Sequence, residues 1–404
     1  MSILVLNAGS TSLKFGLFEL EAQQSLLSGS LDWADGNRAQ ATFLLTAPGG
    51  TETRRAVSVP DHPAAARYAI AAAQEAGPIS VVGHRVVHGG ARFSGSARVD
   101  AVVKAIIQQL AVVAPLHNPP ALEAIRAVET LLPGVPQVAV FDTAFFSGLP
   151  PRAQLYPLPY EWYERWGVRR IGFHGISNQY CAGRAAEMLP AAPEPLRLIT
   201  CHLGGGCSAT AVRGGQPIAT TMGFSPLEGL MMGSRCGSMD PGLLLHLQRD
   251  RGLSLQELDH ALNHQSGLLG VSGLSTDLAQ IEVAARQGHA RAQLAFDLFA
   301  DKVRAAIGSL AVTLGGVDAL IFTDRIGEGS PGLRAAVCQG LECLGIRCDA
   351  GKNEACHPDA DIAARDSSAR ILVIHTREEL MIARETARVA KEHAFQGDFG
   401  VTQH

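Results

Sequence analysis

Four charged or ionisable side chains stand where apolar runs give way to small residues, and such places suit chemistry. Arg85 lies in His84-Arg85-Val86-Val87-His88-Gly89-Gly90, and Asp142 ends the run Val138-Ala139-Val140-Phe141. His174 lies in Gly172-Phe173-His174-Gly175, and Arg235 in Met231-Met232-Gly233-Ser234-Arg235-Cys236-Gly237. A guanidinium at the end of an apolar strand beside a glycine pair is shaped for a bidentate grip on a carboxylate or a phosphate. Each of Asp142, His174 and Arg235 can equally be a satisfied structural polar group, although strand ends beside glycines are where α/β proteins place active sites. His84 and His88 are spaced i, i+4, a metal pair on a helix. The β-branched residues between them argue for a strand instead, and so for structural histidines.

Two Gly/Ser turns add a second chemical theme. Ile3-Leu4-Val5-Leu6 runs into Asn7-Ala8-Gly9-Ser10-Thr11-Ser12 and resumes as Leu13-Lys14-Phe15-Gly16-Leu17-Phe18, with Leu13, Phe15 and Leu17 alternating. This reads as a tight hairpin whose amides, hydroxyls and Lys14 ammonium converge on one anion. Leu196–Leu203, Gly204-Gly205-Gly206-Cys207-Ser208 and Ala209–Val212 repeat the pattern nearly half the chain later. One Gly-rich turn is more often only a turn. Two copies point to a duplicated domain with one anion-binding hairpin in each half. The chain has no Walker A sequence. Gly327-Glu328-Gly329-Ser330-Pro331-Gly332 has dinucleotide-fingerprint spacing, but its late position and Pro331 favour a Gly-rich nucleotide-edge loop without dinucleotide specificity.

The elements that must position these residues alternate between strands and helices, so the class is α/β. Helices are expected over Pro63–Ala76, Ala101–Val112, Ala121–Leu131, Asn178–Leu189, Leu243–Arg251 and Leu255–Asn263. One long helical pattern covers Ala279–Leu314, another covers Leu333–Leu344, and a final helix starts at Glu379. Further strands read as Ile79–Val87, Gln137–Phe141, Ala319–Phe322 and Ile371–Ile374, with breaks at Leu149–Pro159 and Pro190–Pro195. At 404 residues there is room for two domains with substantial cores. A net charge of −4 without a Lys/Arg cluster argues against nucleic acid. No apolar run reaches the roughly 18–20 residues of a membrane helix. The first residues enter a strand with no leader-like segment, and the eight cysteines are scattered without a C-x-x-C pair. A cytoplasmic enzyme without disulfides or a zinc site is the expectation.

Taken in order, Asn-Ala-Gly-Ser-x-Ser-x-Lys, His-Arg-Val-Val-His-Gly-Gly, Pro-Leu-His-Asn-Pro, Phe-Asp-Thr-Ala-Phe, Gly-Phe-His-Gly, Met-Gly-Phe-x-Pro-Leu-Glu-Gly-Leu-Met-Met-Gly and Glu-Glu-Leu-x-Ile-Ala-Arg closely resemble the acetate kinase family from Met1 to about Ala387. The resemblance implies duplicated ribonuclease-H-like (actin-like ATPase) domains with an active-site cleft between them. Residues 1–148, completed by helix 379–395, would form one domain. Residues 149–378 would form the other, with the nucleotide side and the interface of a homodimer. It also implies reversible phosphoryl transfer between ATP and acetate with Mg²⁺, giving acetyl phosphate and ADP. Asp142, Arg235, His174 and Arg85 would be the catalytic residues. Arg85, Val87, Leu116, Phe173 and Pro226 would hold the acid, and Asn7 and Glu378 the metal. Ser10, Ser12, Lys14, His202, Gly204, Gly205, Gly206, Asp277, Arg325, Ile326, Gly327 and Glu328 would contact nucleotide or phosphate.

The chain departs from the family pattern mainly on the nucleotide side. Gly205 replaces the Asn of His-Leu-Gly-Asn-Gly, Ala279 an arginine, Arg325 a glycine and Gly329 an asparagine. His375-Thr376-Arg377-Glu378-Glu379 stands for Pro-Thr-Asn-Glu-Glu, Ala219 and Ser238 for aspartates, and Asn178 for a histidine. Two expectations follow. Arg325 and Arg377 either fill the adenosine pocket or clamp another donor such as pyrophosphate, or the loop turns Arg325 into solvent and ATP still binds. Propionate as the acid, and an inactive metabolite-sensing relative, are the remaining alternatives.

Overall fold

The computed structural model describes residues 1–9, 11–19, 24–33, 40–47, 49–115, 117–190 and 194–397. Chain contacts divide it into two compact units, Met1–Ser147 with Arg377–His404, and Gly148–Thr376. Ser10 and Leu116, both expected to touch ligand, lie outside the described residues.

The first unit is built on β1 (Ser2–Ala8), β2 (Ser12–Glu19), β3 (Gln24–Trp33), β4 (Ala41–Thr46), β5 (Glu52–Val57), β6 (Val81–Val86), β7 (Ala97–Arg98) and β8 (Gln137–Phe141). They form one sheet in the order β5-β4-β3-β2-β1-β6-β8-β7. β1 is a near-continuous apolar run because it is central and covered on both faces. β2 alternates, burying Leu13, Phe15 and Leu17 and exposing Lys14. β5 closes the edge with Glu52, Arg54 and Arg55 exposed, which discourages pairing with another chain. The helices His62–Ala76 and Asn118–Leu131 bury their alanine-rich faces against this sheet. The last helix, Glu378–Gly397, packs on β1, β6 and β8. Gly83 permits that approach, since a Cβ there would lie 2.2 Å from Thr386 Oγ1.

The second unit holds β9 (Arg197–Leu203), β10 (Cys207–Arg213), β11 (Gln216–Thr220), β12 (Ala319–Thr323), β13 (Ala360–Asp361) and β14 (Arg370–Val373), ordered β11-β10-β9-β12-β14-β13. In the first sheet β3, β2 and β1 are antiparallel neighbours, and β6 and β8 then run parallel to β1. In the second, β11, β10 and β9 are antiparallel, and β12 and β14 run parallel to β9. The same five-strand order and sense occur twice. This is the duplication that the two Gly-rich hairpins suggested, in the ribonuclease-H-like architecture that the resemblance implies.

Several local expectations are corrected. The pattern over 279–314 is two helices, Leu278–Arg286 and Ala290–Leu314. Gly288 turns the chain at φ 88°, and the His289 ring caps the second helix by accepting from the Ala292 N–H at 3.1 Å. The helix expected over 333–344 ends at Cys338, because Gln339 is extended and Gly340 has φ 90°. The supposed loop around Gly327 and Gly329 is helical: both lie in the short helix Asp324–Gly329, and Pro331 starts the next, Pro331–Cys338. The alternation of β3 to β5 escaped the sequence reading because Ser, Gly, Thr and Arg carry much of it.

Candidate functional site

In the first unit the register of β1 on β6 places Asn7 one residue beyond the Leu6–His84 pair, level with Arg85. The parallel β6–β8 pairing carries Arg85 toward the C-terminal end of β8, where Asp142 follows. The Arg85 Nε and Nη2 both donate to Asp142 Oδ2, at 3.0 and 2.6 Å, and Nη1 donates to Asn7 Oδ1 at 3.2 Å. Asn7 Nδ2 in turn donates to Glu379 Oε1 at 3.1 Å and more weakly to Glu378 Oε2 at 3.4 Å. Burial alone would lower the Arg85 pKa. The negative charges of Asp142, Glu378 and Glu379 more than offset it and raise the value, so the group is a permanent cation. Ser12 and Lys14 share one face of β2, and Lys14 pairs across the hairpin with Asn7. Val87 is buried just beyond β6. His84 Nε2 donates to Gln137 Oε1 at 2.7 Å in the sheet interior, and His88 is buried apart from any metal cluster among the described residues. Both are structural.

The second unit assembles a different set. His174 sits at φ 58°, a left-handed conformation that His tolerates better than most residues, immediately before the helix Gly175–Met188. Its Nδ1 lies 2.9 Å from Ser208 Oγ, and its ring stacks on His202 at 4.1 Å. His202 Nδ1 is 2.9 Å from Ser177 Oγ, and its Nε2 is 3.2 Å from Asp324 Oδ2. The Gly204–Gly206 turn must be small: a Cβ on Gly206 would come within 3.1 Å of His174 Nε2 and 3.4 Å of Arg235 Nη2. Arg235 Nη1 donates to the Pro226 carbonyl at 2.8 Å, and burial lowers its pKa. Glu228 braces the loop around Pro226. It accepts from Arg170 Nη2 at 2.7 Å and from the Tyr156 hydroxyl, which accepts from the Phe224 N–H at 2.8 Å. Phe173 is buried beside His174.

The family model described as the acetokinase family matches residues 2–384. The chain belongs to the acetokinase family. It is similar to an acetate kinase of Cyanothece sp. (strain PCC 7425 / ATCC 29141), 49% identical over an alignment of 399 positions that covers 95% of this chain and 97% of that protein. Among solved structures it resembles Porphyromonas gingivalis acetate kinase, with TM-score 0.87 and 37% identity over 96% of this chain and 99% of the other. It also resembles a propionate kinase from Francisella tularensis, with TM-score 0.87 and 36% identity over 96% of this chain and 99% of the other. As a family member the chain is a phosphotransferase with a carboxyl group as acceptor.

The residues expected on the nucleotide side fall into two groups. Asp277 and Arg325 meet at 3.4 Å and, with Ile326 and Ala279, line a small cavity of about 120 Å³. Arg325 is 64% exposed, so it does not fill that space. Gly327 and Glu328 also anchor the local fold: their carbonyls accept from the buried Arg334 guanidinium at 2.9 and 2.6 Å. Glu328 Oε1 accepts from the amides of Asp324 and Thr376 at 2.9 and 3.1 Å, and Oε2 is 2.6 Å from His375 Nδ1. Sequence reasoning gave no role to Glu379, Ser177, Tyr156, Arg170, Asp324 and Arg334. Only Arg334 gave a signal, as a cation inside an apolar helix.

Proposed function

We propose that this chain transfers the terminal phosphoryl group of ATP to acetate, reversibly, giving acetyl phosphate and ADP. The observation that carries the reading is Arg85, a permanent cation fixed by Asp142 and Asn7 at the end of β6. Acetate is an anion at neutral pH, so no base need remove a proton. Asp142 is committed through one oxygen to two nitrogens of Arg85, and its role is to position that guanidinium. The acetate oxygen forms a bond to the phosphorus as the bond to the bridging oxygen of ADP breaks, and the electron pair leaves with ADP. The barrier is repulsion between carboxylate and phosphoryl oxygens, which preorganised cations and donors reduce. Arg85 and Arg235 are assigned to those oxygens, and His174 to a hydrogen bond that strengthens in the transition state. Val87, Phe173 and Pro226 are assigned to the acetate methyl, and Ser12, Lys14 and the Gly204–Gly206 loop to phosphate.

The oxygen donors of Asn7 and Glu378 suit Mg²⁺, which binds few protein ligands and keeps waters and phosphate oxygens. When bound it would neutralise charge on the phosphates. The placement of Arg325 on Asp277 supports ATP over pyrophosphate as donor. A homodimer in the cytoplasm is part of the proposal, and the eight free thiols are compatible with a reducing compartment.

Hydroxamate trapping of acyl phosphate tests the reading. Purified protein with acetate and MgATP should yield acetyl hydroxamate and ADP, with pyrophosphate inert as donor. No acyl phosphate from acetate or propionate would identify an inactive relative. A propionate preference would support the likeness to propionate kinase; one methylene is worth about 1–3 kcal/mol in such a pocket.

A further inference from the structure

Asp324 has no role in the transfer described above, yet it is held in an unusual place. It and His174 are the only non-glycine residues with positive φ among those described, and Asp324 stands at 64°. Glu328 holds it there by accepting from its backbone N–H at 2.9 Å while also accepting from the Thr376 N–H. The side chain is directed onto the second hairpin loop. A Cβ on Gly204 would fall 1.7 Å from Asp324 Oδ2, so the carboxylate rests against the Gly204 backbone, with its Oδ2 also 3.2 Å from His202 Nε2. The neighbouring Arg325 turns away to Asp277. The Asp324 side chain keeps 27% of its surface exposed. An acid has therefore been built onto a loop whose small residues suit an anion.

We propose that Asp324 is a charge filter: its carboxylate lets the Gly204–Gly206 loop take nucleotide phosphates together with a divalent cation and disfavours the metal-free nucleotide. The inference rests on the nucleotide-binding role given to that loop above. A phosphate seated on the loop amides lies a few ångströms from a fixed carboxylate, where like charges repel strongly at the partly screened dielectric of a protein surface. A divalent cation on the phosphates removes most of that repulsion, and a carboxylate is the kind of oxygen group such ions accept as a neighbour. The filter thus acts mainly on the metal-free form.

Titration calorimetry on the full chain tests this, with ADP in EDTA and ADP in excess Mg²⁺ as the two probes. Asp324→Asn keeps a side chain that tolerates positive φ, and Asp324→Gly removes the strain altogether. In the wild type the metal-free form should bind at least ~10-fold more weakly than the Mg²⁺ form. In both variants that gap should narrow about tenfold, through tighter binding of metal-free ADP. An unchanged gap overturns the filter, as does equal weakening of both forms. A gap that closes only because MgADP weakens makes Asp324 a cation ligand and also overturns it. A wild type that binds neither form brings down the nucleotide reading itself, which separates that failure from the others.

Discussion

At the end of the β1–β2 hairpin, the first unit presents a guanidinium among one amide and three acids: Arg85 with Asn7, Asp142, Glu378 and Glu379. At the corresponding end of β9–β10, the second unit presents two stacked imidazoles, an arginine braced on a carbonyl, and Asp324. The five-strand core is the same in both. The strand ends, not the sheet, thus carry the chemistry, and duplication supplied two similar frames that were filled differently. The electrostatics differ too. Arg85 is paired with a buried carboxylate, whereas the side chain of Arg235 donates to a neutral carbonyl.

That contrast can be broken most severely at the two arginines. Arg85→Ala and Arg235→Ala should each lower turnover by about 10³-fold in a coupled assay. Arg85→Ala should also cost about 3 kcal/mol of unfolding free energy, because it leaves Asp142 buried without its partner. Arg235→Ala should cost clearly less in the same denaturant titration. Equal stability losses would erase the electrostatic distinction.

A second difference is visible in pH. Burial of His84 in the first sheet, partly opposed by its bond to Gln137, pushes its pKa down to about 4. The unfolded chain, with an ordinary histidine, then binds more protons between about pH 4 and 6.5, so stability is lost as pH falls through that window. The loss should approach about 3 kcal/mol at pH 4 and be absent in His84→Met, as read from urea midpoints against pH.

Within the second loop, adjacent glycines should respond unequally. Gly204→Ala drives a Cβ into Asp324 and should cost about 2 kcal/mol, relieved in the double variant with Asp324→Gly. Gly205→Ala meets nothing within 4 Å and should change stability by less than about 0.5 kcal/mol. The smallest effect belongs to Arg325→Ala. An exposed side chain on Asp277 should alter the KM for MgATP by less than about threefold.

The duplicated hairpins, Arg85, Asp142 and His174 could be read from sequence because each is a polar interruption of an apolar or glycine-rich pattern. What could not be read depends on pairing across the chain. Glu379 matters because the last helix returns to β1, and Asp324 because an acid after β12 folds onto a glycine more than a hundred residues earlier. The break at Gly288 was hidden because apolar periodicity continues on both sides of it. Arg325 in isolation suggested a blocked or altered pocket. Its partner Asp277 could be assigned only once the fold had brought them together.

The reaction moves a phosphoryl group from a nucleoside triphosphate to a carboxylate. Phosphorus-31 NMR of the wild-type chain with acetate and MgATP follows that group directly. An acyl phosphate resonance should grow one for one with ADP, and Arg85→Ala should abolish it on the same timescale. ATP cleaved to inorganic phosphate with no acyl phosphate, or no change in ATP at all, would contradict the account.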